Sequence, residues 1–286
     1  LPMDQPTTTI LSSATKKVQI SRHGPTVLIG ERINPSGRKR LAAALLAGDM
    51  SIVESEARAQ VAAGADIIDI NVGAAGVDEE RILPLAVQTA MAATDVPLSI
   101  DTTNPAALRA ALAVYRGKAL VNSVNGEESS LARVLPLVKE YGAAVIGLTM
   151  DGEGIPGDPV RRLKIAERIV ARAEALGIPR EDVVIDCLAL TVGADQQAAR
   201  VTLEAIRLVA QELGVNQSLG VSNVSFGLPE RETINLAFLA MAIAGGVTCP
   251  IVDVARVRPT VLAVDLLLGR DAYAMRYIKA YRQRGG

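Results

Sequence analysis

Short apolar runs that end in a polar residue recur along the chain, separated by longer segments in which the apolar positions have helical spacing. The runs lie roughly 20 to 40 residues apart, which is the spacing that strand–helix repeats require. We therefore expect eight β-strands, over residues 27–30, 66–71, 97–101, 119–122, 143–149, 182–186, 218–223 and 249–253.

The segments between these runs predict amphipathic helices with recognisable ends. One helix is expected over residues 51–63, where Ser51 and Glu54 have the spacing of a capping box. Another begins after Asp158, with a proline in its first position, and runs to Gly177. Two further helices, each followed by a glycine, are expected over residues 202–213 and 231–244.

Eight strand–helix alternations without a linker or a shift in composition predict one α/β domain, a TIM (β/α)8 barrel over residues 25–286. A doubly wound sheet would fit fewer strands and would need a glycine-rich first turn, which the sequence GERINPSG after the first strand does not provide. Apolar residues make up 49% of the chain and aromatic residues only 2%, so Ala, Val, Leu and Ile must fill the core. Residues 1–24 are rich in Ser and Thr and lack an apolar signal segment, so we expect a flexible extension there, or one that orders against the bottom of the barrel.

The charge balance and the scarcity of cysteine and histidine argue against several classes of function. The formal net charge is −1, which offers no basic surface to nucleic acid or to a membrane. Cys187 and Cys249 are the only cysteines, so we expect no disulfide framework and a cytoplasmic protein. His23 is the only histidine, which leaves no His/Cys cluster for a metal, and no apolar run is long enough for a transmembrane helix.

Short carboxylate and amide side chains stand at nearly every predicted strand exit. For a single position, N-capping of the next helix explains such a residue equally well. Several of them occupy the last residue of a strand, however, and would point into the barrel mouth, where enzymes of this fold have their active sites. These acceptors and amides suit a planar heterocycle with a guanidine-like edge, such as a pterin, better than hydrolysis or metal chemistry. The exits are Asn34, Asp69, Asn71, Asp101, Asn104, Asn122, Asn125, Asp186, Ser222, Asn223 and Asp253.

The residues around these exits resemble the motifs of the methyltetrahydrofolate:corrinoid protein methyltransferases. The resemblance extends from Val27 to Arg276 and includes the folate module of cobalamin-dependent methionine synthase. Each motif is weak by itself, but eight motifs in the family's order along eight strands are specific. They read IGERIN, DINVG, IDTTN, VNSVN, GLTM, VIDCL, GVSNVS and FLAMA.

The resemblance implies a dimeric TIM barrel with tetrahydrofolate or 5-methyltetrahydrofolate as its substrate. Asp101, Asn122 and Asp186 would hold the pterin ring, with Asp186 at the N3 and 2-amino edge. Asn223 would be the catalytic amide that approaches N5, and Arg231 would contact the folate beyond its ring. Asn34, Asp69, Gly220 and Ser222 are further folate-binding candidates in the same motifs.

The resemblance also implies a corrinoid, that is a cobalamin, as the second participant. The DxHxxG signature of corrinoid modules is absent from the sequence, so we expect the corrinoid to arrive on a partner protein. One departure from the family's pattern is Cys187, which stands where a proline is usual. Arg32, Arg38 and Lys39 crowd the first loop, where a solvated surface is a simpler interpretation than a site for the glutamate tail of folate.

Two alternatives stay open at this point. A dihydropteroate synthase would use the same pterin-binding barrel, but its NxTPDSFSDGG and DIGGxSTRP patterns are absent. A folate-binding barrel without catalytic activity would keep the same ligand. The direction of methyl transfer is open too, because the same residues must serve the forward and the reverse reaction.

Overall fold

Ten strands lie in the part of the chain that the computed structural model describes, residues 7–283. The first two, β1 (Thr9–Ser12) and β2 (Lys17–Ile20), pair antiparallel as a hairpin. The other eight are parallel and close into a barrel in the order of the chain, so the predicted TIM barrel is confirmed. They are β3 (Ile29–Ile33), β4 (Ile67–Asn71), β5 (Leu98–Asp101), β6 (Leu120–Asn125), β7 (Ala144–Leu148), β8 (Val183–Asp186), β9 (Gln217–Gly220) and β10 (Cys249–Val252).

Helices connect the barrel strands and cover their outer faces. Two of them lie between β3 and β4, and one lies between each later pair of strands. The described helices are α1 (Lys39–Ala47), α2 (Ser51–Ala63), α3 (Glu79–Ala93), α4 (Pro105–Val114), α5 (Glu128–Tyr141), α6 (Pro159–Ala175), α7 (Ala198–Glu212), α8 (Arg231–Gly245), α9 (Val254–Leu267) and α10 (Met275–Gln283). Within residues 7–283, none of the helices combines the length and the apolar character needed to cross a membrane.

The helix ends test the sequence predictions more closely than the helices themselves. Asp158 caps α6 as expected, because its carboxylate accepts hydrogen bonds from the first free N–H groups of the helix. The prediction of a capping box at Ser51 and Glu54 is wrong. Ser51 is already the first helical residue of α2, and its N–H donates to Oδ1 of Asp49 at 2.9 Å. Helix α7 begins at Ala198 rather than at residue 202.

Buried apolar side chains form two groups, one on each side of the barrel wall. The larger group fills the layer between the strands and the surrounding helices. The smaller group lies inside the barrel and joins strand residues such as Ile67 and Ile146 to Leu11, Val18 and Ile20 of the hairpin. The hairpin therefore supplies apolar side chains that close the amino end of the barrel.

Of the two alternatives for the extension over residues 1–24, the hairpin corresponds to a segment ordered against the bottom of the barrel rather than to a flexible one. Asn216 of the barrel donates from Nδ2 to Oγ1 of Thr9 and to the carbonyl of Ile20, both at 2.9 Å. Ser12 and Lys118 exchange two backbone hydrogen bonds of 3.0 and 2.9 Å. Burial and pairing of this kind order residues 7–24, while residues 1–6 lie outside the described chain. The division of the chain at residue 25 stays a prediction.

Candidate active site

A cavity of about 700 Å³ opens at the carboxyl end of the barrel, among the loops that follow the strands. This is the end at which TIM-barrel enzymes hold their substrates, and the volume suits a small organic ligand. Eight of the nine residues selected from the sequence line this one cavity: Asn34, Asp69, Asp101, Asn122, Gly220, Ser222, Asn223 and Arg231.

Two aspartates and an asparagine from neighbouring strands form the floor of the cavity. The parallel register places Asp101 of β5 beside Asn122 of β6. Asp69, in the middle of β4, lies deeper and is buried. Its Oδ1 accepts hydrogen bonds from Oγ of Ser99 at 2.6 Å and from Nδ2 of Asn122 at 3.2 Å. Oδ2 of Asp101 accepts from Nδ2 of Asn71 at 2.9 Å. The floor therefore presents carboxyl and amide groups that the protein already holds in place.

Burial changes the charge of this floor. It raises the pKa of Asp69, and the neighbouring Asp101 carboxylate raises it further, while the donors Ser99 and Asn122 lower it. Burial also raises the pKa of Asp101, against the stabilising hydrogen bond from Asn71. Two carboxyl groups that repel each other in a poorly solvated site favour holding one proton between them. The pair can thus both accept and donate a hydrogen bond to a ligand.

Glu31 is a third carboxyl group of the cavity, and the sequence interpretation missed it. It lies within β3 and lines the cavity beside Asp253. Burial raises the pKa of Glu31 to about 7, and the Asp253 carboxylate adds to this, while Arg32 and Arg231 oppose it. An acidic residue beside Arg32 inside the first barrel strand, IGERI, was the signal that could have identified it.

Asp186 is the one selected residue that does not line the cavity. It ends β8 and is buried, with Oδ1 accepting from the N–H of Leu188 at 2.8 Å and Oδ2 accepting from Oγ of Ser218 at 3.2 Å. Burial raises the pKa of Asp186, and both of these donors lower it. The next residue, Cys187, is buried too, and burial raises the pKa of its thiol well above the ordinary range, as expected for a packing residue.

Asn223 lies in a 3₁₀ turn, Val221–Ser225, at the rim of the cavity. Arg231, the first residue of α8, holds this turn, since its Nη2 donates to the carbonyl of Ser222 at 2.7 Å and its Nε donates to Oγ of Ser225 at 3.0 Å. The Asn223 side chain is exposed and makes no hydrogen bond with any other residue of the described chain. The backbone of the turn is therefore fixed while the amide is free to turn toward a ligand.

Arg32 and Arg38 are both paired with neighbouring groups, but only Arg38 lies in the first loop, since Arg32 belongs to β3. Arg38 donates to a carboxylate oxygen of Glu56 and to the carbonyl of Arg32. Arg32 has Glu56 and Asp253 each 3.8 Å away. Lys39 begins α1 and is exposed. Asn34, in the same loop, accepts a hydrogen bond from the N–H of Ser36 at 2.9 Å.

Residues 30–253 match the model of a family described as pterin binding enzymes. The chain belongs to this family. The matched segment starts within β3 and ends just after β10, so it includes nearly all of the barrel strands and every residue of the floor. The pterin ligand inferred from the strand exits is thus the ligand after which the family is named.

Two curated relatives are similar in sequence to most of this pterin-binding barrel. A methionine synthase of Mycobacterium tuberculosis is 31% identical over 262 residues, which is 87% of this chain and 22% of the relative. The chain therefore spans about a fifth of the length of that enzyme. A methylcorrinoid:tetrahydrofolate methyltransferase of Eubacterium limosum is 28% identical over 267 residues, with 90% of this chain and 96% of the relative covered. These names confirm the resemblance found in the strand-end motifs.

Among solved structures, dihydropteroate synthase of Yersinia pestis superposes on the pterin-binding barrel with a TM-score of 0.67. The alignment covers 91% of this chain and 98% of the synthase at 18% sequence identity. At this identity the likeness shows a shared fold and says nothing about the reaction.

Proposed function

We propose that this pterin-binding enzyme transfers a methyl group between N5 of tetrahydrofolate and a corrinoid carried by a partner protein. The observation that carries the proposal is the arrangement of the cavity. A floor of carboxyl and amide groups, Asp69, Asp101 and Asn122, lies opposite the unpaired amide of Asn223 at the rim. The names of the relatives support the same reaction.

The floor suits the polar edge of a pterin ring. An ionised carboxylate accepts the parallel N–H groups of a guanidine-like edge, and an amide supplies a donor and an acceptor to the neighbouring ring atoms. Asp101 and Asn122 are placed to do this from adjacent strands. Asp186 is buried behind the residues that line the cavity. It would bind the pterin edge from there, because a carboxylate can accept further hydrogen bonds besides those from Leu188 and Ser218.

The rim suits the reacting nitrogen. The departing N5 is a poor leaving group, so a donor that binds it more tightly as electron density builds there lowers the barrier. The side-chain amide of Asn223 can donate that hydrogen bond without breaking a hydrogen bond within the protein. Glu31, with a pKa of about 7, can hold or release a proton near neutral pH. The corrinoid, when bound, would supply the cobalt that gives or receives the methyl group.

Neither direction of transfer is favoured by these residues, since they must stabilise the same transition state in both. The relative from Eubacterium limosum is named for transfer from a methylcorrinoid to tetrahydrofolate. The methionine synthase, a longer enzyme, is named for its product. The identity of the corrinoid protein and the homodimer implied by the resemblance stay predictions.

The proposal is tested by replacing Asn223 with alanine. Methyl transfer is measured from 5-methyltetrahydrofolate to reduced cobalamin and, in reverse, from methylcobalamin to tetrahydrofolate, and folate affinity is measured by calorimetry. We expect Asn223→Ala to lower the transfer rate about a hundredfold in both directions, because it removes one preorganised donor. Folate affinity should fall by less than about threefold, because the amide binds N5 more tightly in the transition state than in the bound substrate.

The matched control is Gln88→Ala, which removes an exposed amide from α3 and should change neither quantity. Equal losses of transfer rate and folate affinity in Asn223→Ala would mean that Asn223 binds folate and has no catalytic role. Tight binding of 5-methyltetrahydrofolate by the parent protein without transfer in either direction would favour a folate-binding barrel instead. Condensation of a pterin pyrophosphate with aminobenzoate would identify a dihydropteroate synthase.

A further inference from the structure

Arg162 is a fully buried cation that takes no part in lining the cavity. It lies on α6, and its relative exposure is 0%. Within the described chain, its hydrogen bonds go to three carbonyl oxygens and one hydroxyl group, and its Nη2 has no partner. Burying a cation among neutral acceptors costs free energy that an apolar side chain would not cost. The position therefore serves something other than the packing of α6.

Two of the groups that Arg162 binds, the carbonyls of Cys187 and Leu188, belong to the segment directly after Asp186. Nη1 of Arg162 donates to the carbonyl of Cys187 at 2.7 Å and to the carbonyl of Leu188 at 2.8 Å. Oγ1 of Thr202 lies 3.0 Å from the same Leu188 carbonyl and can donate to it as well. Two donors from α6 and α7 thus converge on one peptide group of the loop.

Leu188 has an unusual backbone conformation, with φ at 59°. A branched side chain adopts the left-handed region only when its surroundings hold it there. The N–H of Leu188 lies in the same peptide plane as the Cys187 carbonyl, and it donates to Oδ1 of Asp186 at 2.8 Å. Leu188 is thus held at its carbonyl by Arg162 and Thr202, and at its N–H by the carboxylate that we assign to the pterin.

We propose that Arg162 is a positioning residue for Asp186, acting through the Cys187 and Leu188 carbonyls to keep the Leu188 N–H directed at the carboxylate. The inference rests on the proposed function, in which Asp186 binds the pterin edge. Asp186 then has one of its oxygens fixed by the backbone, and the carboxylate presents a set orientation to the ligand. Preorganisation of this kind raises affinity without any contact between Arg162 and folate.

The test is a double-mutant cycle between Arg162 and Asp186, with calorimetric affinity for 5-methyltetrahydrofolate as the readout. We expect Arg162→Met to weaken binding about tenfold in the parent protein and less than about twofold in the Asp186→Asn background. A residue that only supports the fold would weaken binding equally in both backgrounds, and that result would overturn the inference. The control Arg172→Met removes an exposed cation from the same helix and should leave affinity unchanged.

If Arg162→Met does not fold, a second double-mutant cycle uses Thr202→Val, which is the milder substitution. It removes one donor to the Leu188 carbonyl and retains nearly the same shape. It should weaken binding about threefold, again only while Asp186 is present. Parent protein that does not bind 5-methyltetrahydrofolate at all contradicts the proposed function. Parent protein that binds and transfers methyl groups, with Asp186→Asn binding as tightly, contradicts only the role of Arg162.

Discussion

The two ends of the barrel use polar side chains in opposite ways. At the amino end, Asn216 and Tyr115 direct their donors to backbone carbonyls of the hairpin, at 2.9 and 2.8 Å. Lys118 and Asp182 form an ion pair there at 2.6 Å. At the carboxyl end, the side chain of Asn223 makes no hydrogen bond within the described chain, and burial raises the pKa of Glu31.

This contrast separates the residues that hold the barrel together from those that can act on a ligand. At the amino end, the polar groups are paired with each other or with the backbone, so they contribute to stability rather than to ligand binding. Buried carboxyl groups and an unpaired amide lower the free energy of unfolding, and a bound ligand that pairs with them raises it again. Substitutions at the amino end should therefore affect unfolding, and substitutions at the carboxyl end should affect chemistry and pH dependence.

The largest effect on stability is expected from Ile20→Ala in the hairpin. Ile20 is fully buried in the apolar group inside the barrel, and truncation leaves a cavity that lowers the free energy of unfolding by about 2 to 5 kcal/mol. Denaturant unfolding measures this directly. Ile10→Ala, at a position of the same hairpin that is 40% exposed, should cost less than about 0.5 kcal/mol. Equal losses in the two variants would mean that the hairpin does not close the barrel in solution.

An intermediate effect is expected from Glu31→Gln at the opposite end. The pKa of Glu31 is raised from 4.5 to about 7 in the folded protein. Its contribution to stability is therefore fully present below pH 4.5 and is lost as the pH rises through about 7. Without the carboxyl group, the decline in unfolding free energy across this window should shrink by about 1 to 3 kcal/mol. Parallel pH profiles for the two proteins would show that Glu31 ionises as a solvated side chain does.

The smallest effect on stability is expected from Gly220→Ala. A methyl group at this position would lie 3.3 Å from Nδ2 of Asn223, which restricts the amide while costing less than about 0.5 kcal/mol of stability. Methyl transfer should slow by about three- to tenfold, since a misplaced donor stabilises the transition state less well. Gly152→Ala, where a methyl group meets only open space, is the control. Unchanged transfer in Gly220→Ala would argue against a moving amide.

The barrel could be predicted from sequence because each strand carries its own signal, an apolar run with a polar exit. The hairpin could not. Its strands are four residues each, too short for alternation to be distinguished from chance, and their burial depends on groups such as Asn216 that are remote in sequence. Local patterns identify elements whose burial repeats along the chain, and they miss segments that are ordered only by the completed fold.

The candidate site shows the same limit. Asp101, Asn122 and Asn223 could be selected because strand exits converge on the barrel mouth. Glu31 was missed because it lies inside β3, where a shift of the register between Gly30 and Ile33 interrupts the pairing with β4. Such irregularities redirect side chains and leave no local pattern in the sequence. Asp186 was selected as a strand exit too, but it is buried and does not line the cavity, and its Oδ1 accepts from the Leu188 N–H.

The hairpin also constrains the order in which the molecule can assemble. Asn216 lies 207 residues after its partner Thr9, and Thr26 bonds Asp265 across 239 residues. Contacts between such distant segments are reached only after large loops have closed, which makes them slow to form. Docking of the hairpin and closure of the barrel between β10 and β3, where Ile251 pairs with Ile29, should therefore both be late steps. A barrel that is still open at its amino end would expose its apolar interior until they are complete.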